Sequence, residues 1–332
     1  MPLKNITVLG AGITGLLQAL TLAKNGHKVT LIEKSKEPFT NAASRIAGAM
    51  LAPYCESEVR EDLILDLGPK SIDLWKELIP ELECKGTLVV ALPRDLPELT
   101  RFEQVTTGGH VVDEAKLGEL EPDLAGRYLK GLYYPDEAHM EPAVLMPQLL
   151  EKAVEAGVEL CFGEDVQSEQ VEGMVIDCTG MAARERLEEL RGLRGEMMVI
   201  KSRDVTLNRP VRLLHPRFPI YVVPWSNNRF MIGATMIEAE DRANVRVRSA
   251  LELLSTAYAL HPALGEAEIE YFGADCRPSF PDNMPRITVC GDHIYVNGLH
   301  RNGFLLAPIL AKQVAQYIQD GKVSSETFVF KN

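Results

Sequence analysis

No run of lysines and arginines occurs in these 332 residues, and acids outnumber bases 47 to 35, for a net charge of −12. That balance excludes nucleic acid and an anionic membrane as expected partners. No C-x-x-C pair and no His–Cys cluster at metal-ligand spacing is present. The six cysteines (Cys55, Cys84, Cys161, Cys178, Cys276 and Cys290) therefore read as reduced thiols of an intracellular protein that holds no metal. No uninterrupted apolar stretch reaches the length of a membrane span. Lys4 and the apolar run that follows it resemble a signal peptide, but cleavage near Ala23 would destroy the motif described next, so a cytoplasmic location is expected. Repeats and low-complexity segments are absent as well. With 46% apolar and 25% charged residues, the chain has an ordinary globular composition and enough length for two domains with sizeable cores.

What is present is concentrated in residues 6–33, ITVLGAGITGLLQALTLAKNGHKVTLIE. A β-rich run, Ile6 to Leu9, enters Gly10, Gly12 and Gly15 in G-x-G-x-x-G spacing. An apolar helical segment follows, then Asn25-Gly26 as a stop, then a second β-branched run ending in Glu33. In such a motif Gly10 serves the tight turn, Gly12 a close approach of backbone to pyrophosphate, and Gly15 the packing of helix on strand. The helix N-terminus offers N–H groups to the phosphates. Glu33, 23 positions after Gly10, is placed to take a ribose hydroxyl pair. The alternative is a plain glycine turn, but strand, helix and acid all agree on dinucleotide binding. A carboxylate there disfavours a 2′-phosphate, so FAD or NAD is expected before NADP.

The remaining nucleotide-domain signals are scattered. After a loop, 41–58, come a helical stretch at 71–79, a strand at 86–92 and a short capped helix at 113–120. A second α/β unit follows, with a helix at 142–156 and strands at 158–162 and 174–178. From 195 to 275 the pattern is mostly strands, with a hairpin turning at Asn227-Asn228 and one helix, 247–260. The end returns to α/β, closing with a helix from Phe304 to Asp320 stopped by Gly321. The expected fold class is α/β: a Rossmann-like FAD-binding domain built from discontinuous segments, 1–83, 140–190 and 285–332, with a mostly antiparallel-sheet substrate domain from 84–139 and 191–284. An NAD dehydrogenase usually keeps its nucleotide domain in one block. Interleaving points to a flavoprotein whose second domain roofs the isoalloxazine ring.

Further motifs run along nearly the whole chain: ASRIAGAMLAP (43–53), AHMEP (138–142), IDCTG (176–180), IYVVP with RFMIGATM (220–236), CRP (276–278) and GLHRNGFLLAP (298–308). Together with VLGAGITG they resemble the D-amino-acid oxidase superfamily and, within it, the glycine oxidases of thiamine biosynthesis. The resemblance implies FAD and oxidation of a small amino acid to an imine. It implies FAD contacts at Gly10, Gly12, Ile13, Thr14, Gly15, Glu33 and Lys34. It adds Ser44 and the flavin loop Ala47, Gly48, Ala49, Met50 and Leu51, then Val166, Thr179 and Gly180. The last group is Gly298, His300, Arg301, Asn302, Gly303 and Phe304. Two departures stand out. Similar oxidases read Ala-Ala-Gly-Met-Leu where this chain has Ala47-Gly48-Ala49-Met50-Leu51, and many follow the strand proline with a basic residue where this chain has Trp225.

Flavin oxidation of an amino acid needs the substrate held in place for hydride transfer, and its carboxylate is the natural handle. Arginine, a planar fork of donors, matches it. By family correspondence the candidates are Arg277, Arg301 and the Tyr221 hydroxyl, with Met236 on the substrate side. Either arginine could instead pair with a surface acid, and a strand tyrosine is often mere packing. His139 and His300 flank family motifs but read as ordinary hydrogen-bonding histidines, so no general base is assigned. Cys276 reads as a buried thiol, with a flavin tether as the minority alternative. The expected partners are a small amino acid and molecular oxygen, and a homo-oligomer is expected. Three rivals stay open: a dehydrogenase passing electrons to a quinone or carrier protein, a non-catalytic flavin-binding protein, and an NAD dehydrogenase.

Overall fold

The computed structural model describes residues 3–57, 62–215, 217–323 and 325–331. The chain opens on the expected unit: strand β1 (Asn5–Leu9), helix α1 (Ile13–Lys24) and strand β2 (Lys28–Glu33), with β1 and β2 parallel. A parallel pair needs a crossover of about a dozen residues, and α1 supplies it. Next come β3 (Met50–Leu51), α2 (Asp62–Leu78), β4 (Thr87–Ala91), α3 (Leu96–Val105), β5 (His110–Asp113), α4 (Glu114–Leu120), β6 (Lys130–Tyr134) and β7 (Ala138–His139). The middle holds α5 (Pro142–Glu155), β8 (Glu159–Phe162), β9 (Met174–Asp177), β10 (Arg191–Lys201), β11 (Val211–Leu214), β12 (Ile220–Trp225) and β13 (Arg229–Gly233). The end holds α6 (Val247–Leu260), β14 (Glu268–Ser279), β15 (Arg286–Cys290), β16 (His293–Asn297), α7 (Gly303–Asp320) and β17 (Phe328–Phe330).

These strands form two large sheets. A seven-stranded sheet runs β17-β15-β16-β9-β1-β2-β8, and only its β15–β16 pair is antiparallel. An eight-stranded sheet runs β14-β10-β13-β12-β11-β4-β6-β5 and is antiparallel except between β11 and β4. The fold is α/β with a mostly antiparallel second sheet, as expected. Helices α1, α5 and α7 bury Leu16, Leu20, Leu149, Leu306 and Leu310 with Ile6 and Val8 of β1. Nine of the twelve α1 residues are buried, which suits a helix enclosed by its neighbours. One face of the second sheet packs Val222, Ile232 and Leu213 under Leu253, Ala257 and Leu260 of α6.

Alternation decides what the other face does. With Val222 turned toward α6, Tyr221 and Val223 point the opposite way, toward Ile46 of the loop after β2 and Met50 of β3. In the first sheet β1 lies between β9 and β2, all parallel, so the order in which strands are added switches sides there. The crevice beyond the carboxyl ends of these strands is where open α/β sheets take ligands.

Local signals are matched closely. Asn227 and Asn228 have φ of 61° and 59°, the paired left-handed conformations of a type I′ hairpin turn. Asp113 caps α4 by accepting from the Lys116 N–H at 2.8 Å. Helix α2 starts nine residues before the expected 71, because Gly68-Pro69 inside it hides the first half of the pattern. Helix α3 and strands β5 and β6 are missing from the sequence reading; β5 is mostly exposed and shows no alternation. Residue 58, the last of the loop read over 41–58, lies outside the described residues.

Candidate active site

A cleft of about 1220 Å³ lies between the two sheets. At one end it is lined by the turn after β1, the end of β2 and the turn after β9. Gly10 has φ 89°, and a Cβ there would sit 2.9 Å from the Cys178 carbonyl oxygen. A Cβ on Gly15 would lie 1.8 Å from the Gly10 oxygen, so only glycine lets α1 close on the turn. Gly15 itself stays behind the cleft wall, whereas Gly12, Ile13 and Thr14 line it. Gly12 has no side chain to cap α1, and the Ile13 N–H donates to Ser44 Oγ at 3.3 Å. Glu33 accepts from the Ala11 N–H through Oε2 and from the Ser35 N–H through Oε1, both at 2.9 Å. A carboxylate has about four acceptor positions, so two remain for a ligand. Lys34, Val166, Thr179 and Gly180 complete this end. Asp177, absent from the sequence reading, fixes the turn by accepting from the Thr179 N–H and hydroxyl.

The middle of the cleft is walled by Ala47, Gly48, Ala49 and Met50. Leu51 is fully buried instead and pairs with Ala138 across the β3–β7 ribbon. Ala49 holds φ 49°, a left-handed conformation, while a Cβ on Gly48 would meet Met231 and Val223 at an ordinary 3.5 Å. Opposite, His300, Arg301, Gly303 and Phe304 line the cleft; Gly298 and Asn302 lie behind it. Trp75 Nε1 donates to the Phe304 carbonyl at 2.8 Å and pins the start of α7 to α2. Burial, joined by the cations Arg277, Arg301 and Arg191, brings the His300 ring down to about 3, so it is neutral at physiological pH, and its buried Nδ1 meets no hydrogen-bond partner. The glycine cradle, uncapped helix start, oriented carboxylate and orphaned ring nitrogen together fit a flavin dinucleotide. His139 is elsewhere: it borders a small separate pocket with Trp225, and burial brings it down to about 4.

Arg277 and Arg301 meet at the far end. Arg277 lies across Gly195 of β10, where even a Cβ would come within 2.3 Å of its guanidinium, and Nη1 donates to the Thr235 carbonyl at 3.2 Å. Burial lowers the Arg277 pKa, opposed by Glu56 and reinforced by Arg301. Arg301 Nη2 donates to the Glu56 carbonyl at 2.5 Å, and its Nε is 3.6 Å from Glu56 Oε2. Tyr221 stands in the same wall, its phenol pushed well above the usual range by burial, with Arg212 pulling the other way. Met236 lines the rim and is 65% exposed. Cys276 also borders the cleft, but its thiol donates to the Asp241 carbonyl at 3.3 Å.

Four residues of this end escaped the sequence reading: Glu56, Arg212, Glu137 and Gly195. Arg212 Nη1 donates to the Cys55 carbonyl at 2.5 Å, and its guanidinium lies 5.1 Å from the Tyr221 ring and 4.7 Å from Phe102. Buried Glu137 accepts from the Tyr54 and Cys55 N–H groups at 2.9 and 2.7 Å. One signal was available: Arg212 interrupts the apolar strand Val211–Leu214, and a charge inside such a run is rarely idle.

The chain matches the family described as FAD dependent oxidoreductase over residues 5–317. It is 47% identical over 312 residues to a protein of Rhizobium etli named as the thiamine biosynthesis oxidoreductase ThiO, covering 94% of this chain and 95% of that one. It is 28% identical over 358 residues to a glycine oxidase of Geobacillus kaustophilus, covering 95% and 93%. Among solved structures, glycine oxidase from Bacillus cereus superposes with a TM-score of 0.82 at 23% identity, covering 97% of this chain and 98% of that one. L-proline dehydrogenase from P. horikoshii gives 0.80 at 19%, covering 98% and 96%, so the same fold serves more than one reaction. With its glycine cradle, its interleaved sheets and a family match over nearly its full length, the chain belongs to the FAD dependent oxidoreductases.

Proposed function

We propose that this enzyme oxidises glycine or a similarly small amino acid or amine, such as sarcosine or a small D-amino acid. The product is an imine that hydrolyses to the 2-oxo acid and ammonia, with oxygen reduced to hydrogen peroxide; thiamine biosynthesis is the setting that its ThiO relative suggests. The observation that carries the reading is the convergence of Arg277, Arg301 and Tyr221 on one end of a cleft whose other end is built for a dinucleotide. FAD, when bound, supplies the two-electron acceptor. Gly10, Gly12, Thr14, Glu33, Ser44, Val166 and Thr179 would hold its nucleotide portion, and Ala47–Met50 with His300–Phe304 its ring. Segments 1–83, 140–190 and 285–332 are assigned to cofactor binding, and 84–139 and 191–284 to the substrate roof.

The two guanidinium groups fix the substrate carboxylate, and the Tyr221 hydroxyl adds a donor beside them. Neutral His300, whose Nδ1 has no partner within the protein, would hydrogen-bond to a bound group without adding charge. Tyr221, Val223 and Met231 line the same wall and would bound the space beside the substrate. A cytoplasmic homo-oligomer with no membrane partner is part of this proposal; among the described residues no helix is long and apolar enough to cross a bilayer.

The test uses the FAD-loaded protein. Glycine, sarcosine or D-alanine should bleach the flavin without air, and peroxide should form when air is admitted. A flavin that none of the three bleaches overturns the reading. Bleaching without peroxide would favour transfer to a quinone or carrier protein.

A further inference from the structure

The carboxylates lining the cleft are mostly committed. Glu169 pairs with Arg186, Glu240 with Arg184, Glu252 with Arg248 and Asp275 with Arg242. Glu33 and Asp177 are oriented by backbone N–H groups at the nucleotide end. Glu56 is paired as well, but with Arg301, one of the two arginines at the substrate end. It is nearly buried, at 14% side-chain exposure, and lines the end where Arg277, Arg301 and Tyr221 converge. Its charge acts on both Arg277 and Tyr221. Its Oε2 is 3.6 Å from Arg301 Nε, an ion pair longer than a hydrogen bond, while Arg301 Nη2 also donates to the Glu56 carbonyl. The carboxylate is thus kept beside the guanidinium without being hydrogen-bonded to that nitrogen.

The loop that carries Glu56 is braced from below. Glu137 takes the N–H groups of Tyr54 and Cys55, Arg212 takes the Cys55 carbonyl, and the Ser57 hydroxyl donates to the Pro53 carbonyl at 2.7 Å. A buried carboxylate and a buried guanidinium spent on one short turn make Glu56 a fixed feature of the wall. A fixed carboxylate next to two arginines answers a definite chemical need. An amino acid in neutral water is a zwitterion, and cations that attract its carboxylate repel the ammonium on the neighbouring carbon. Selecting an amine-bearing acid needs an anion placed within reach of that ammonium.

We propose that Glu56 forms the amine subsite, taking the substrate ammonium while Arg277 and Arg301 hold the substrate carboxylate. This inference rests on the amino-acid reading above and adds the group that lets the cleft distinguish an amino acid from a hydroxy acid of equal size. Glu56 is a binding residue in this scheme, and it moves no proton.

The test compares FAD-loaded parent, Glu56→Gln and Glu56→Asp with two ligands. Glycine is followed by the concentration dependence of anaerobic flavin reduction; glycolate, which lacks the amine, is followed by the perturbation of flavin absorbance. In Glu56→Gln the half-saturating glycine concentration should rise about tenfold to a hundredfold, the range for losing one hydrogen bond to a charged group. Glycolate should bind as well as before or more tightly, since an anion beside its carboxylate is gone. Glu56→Asp keeps the charge and should retain part of the glycine affinity. Equal weakening of both ligands would reduce Glu56 to a support of the loop and overturn the inference, as would unchanged glycine saturation. If Glu56→Gln loses its flavin, Glu56→Asp decides alone: an equal shift of both ligands overturns the inference. A parent that no small amino acid bleaches removes the oxidase reading too, whereas a responsive parent with an indifferent Glu56→Gln removes only the amine subsite.

Discussion

Ala49 adopts φ 49° in the flavin loop, a conformation that costs an L-residue about 1–2 kcal/mol. Similar oxidases place glycine at this position, and here the glycine sits one residue earlier, at Gly48, where nothing requires it. The departure seen in the sequence is therefore a matter of backbone strain. Exchanging the two, Gly48→Ala with Ala49→Gly, keeps the glycine count and so leaves the unfolded chain's entropy unchanged. The double variant should be more stable by about 1 kcal/mol, read as a higher denaturation midpoint with an unchanged slope. A second prediction at this scale concerns Arg301. Replacement by alanine should raise the half-saturating glycine concentration about a hundredfold while the protein still purifies yellow, because two charge-assisted bonds to the substrate are lost and the nucleotide cradle from Gly10 to Glu33 is left intact. Unchanged saturation would take Arg301 out of the site.

Strand β10 shows how an element can serve a side chain that it does not carry. Gly195 leaves the gap across which Arg277 lies, and the obstructed group is the tip of a flexible side chain. Gly195→Ala should therefore fold and keep flavin, yet bind glycine more weakly by about tenfold or more, through displacement of one guanidinium. Beneath the loop after β3, burial pushes Glu137 up to about 7 from an ordinary 4.5. The folded chain thus keeps a proton that the unfolded chain releases between those values, so this group's contribution to stability falls as pH rises through that window and is level above it. Glu137→Gln removes the effect: relative to the variant, the parent should lose up to about 3 kcal/mol between pH 4.5 and 7, measured by denaturant midpoints. A parallel response of both proteins would contradict it. What was legible in the sequence follows the same division. The β1–α1–β2 turn, the Asn227-Asn228 hairpin and the span of α6 depend on residues close together in the chain. Glu137 acts on Cys55 from 82 positions away and Arg212 from 157, and no local pattern announces contacts of that reach.

At the scale of the molecule, both sheets border one cleft, so a ligand that fills it stabilises the two together. FAD at a hundred times its dissociation constant should add about 2.7 kcal/mol to unfolding, and Glu33→Ala should lower both that gain and the flavin content of the purified protein. An undiminished flavin content in Glu33→Ala would argue against its ribose role. The architecture has a further consequence for biosynthesis. Strands β15, β16 and β17 complete a layer that begins at β1, and α7 packs on α1. Helix α1 of the opening motif is made long before α7, and until α7 follows it lacks that packing partner. Nascent protein must keep those apolar surfaces unsatisfied, or chaperoned, through the synthesis of everything between the two helices, and docking of the later one is what allows the earlier one to settle.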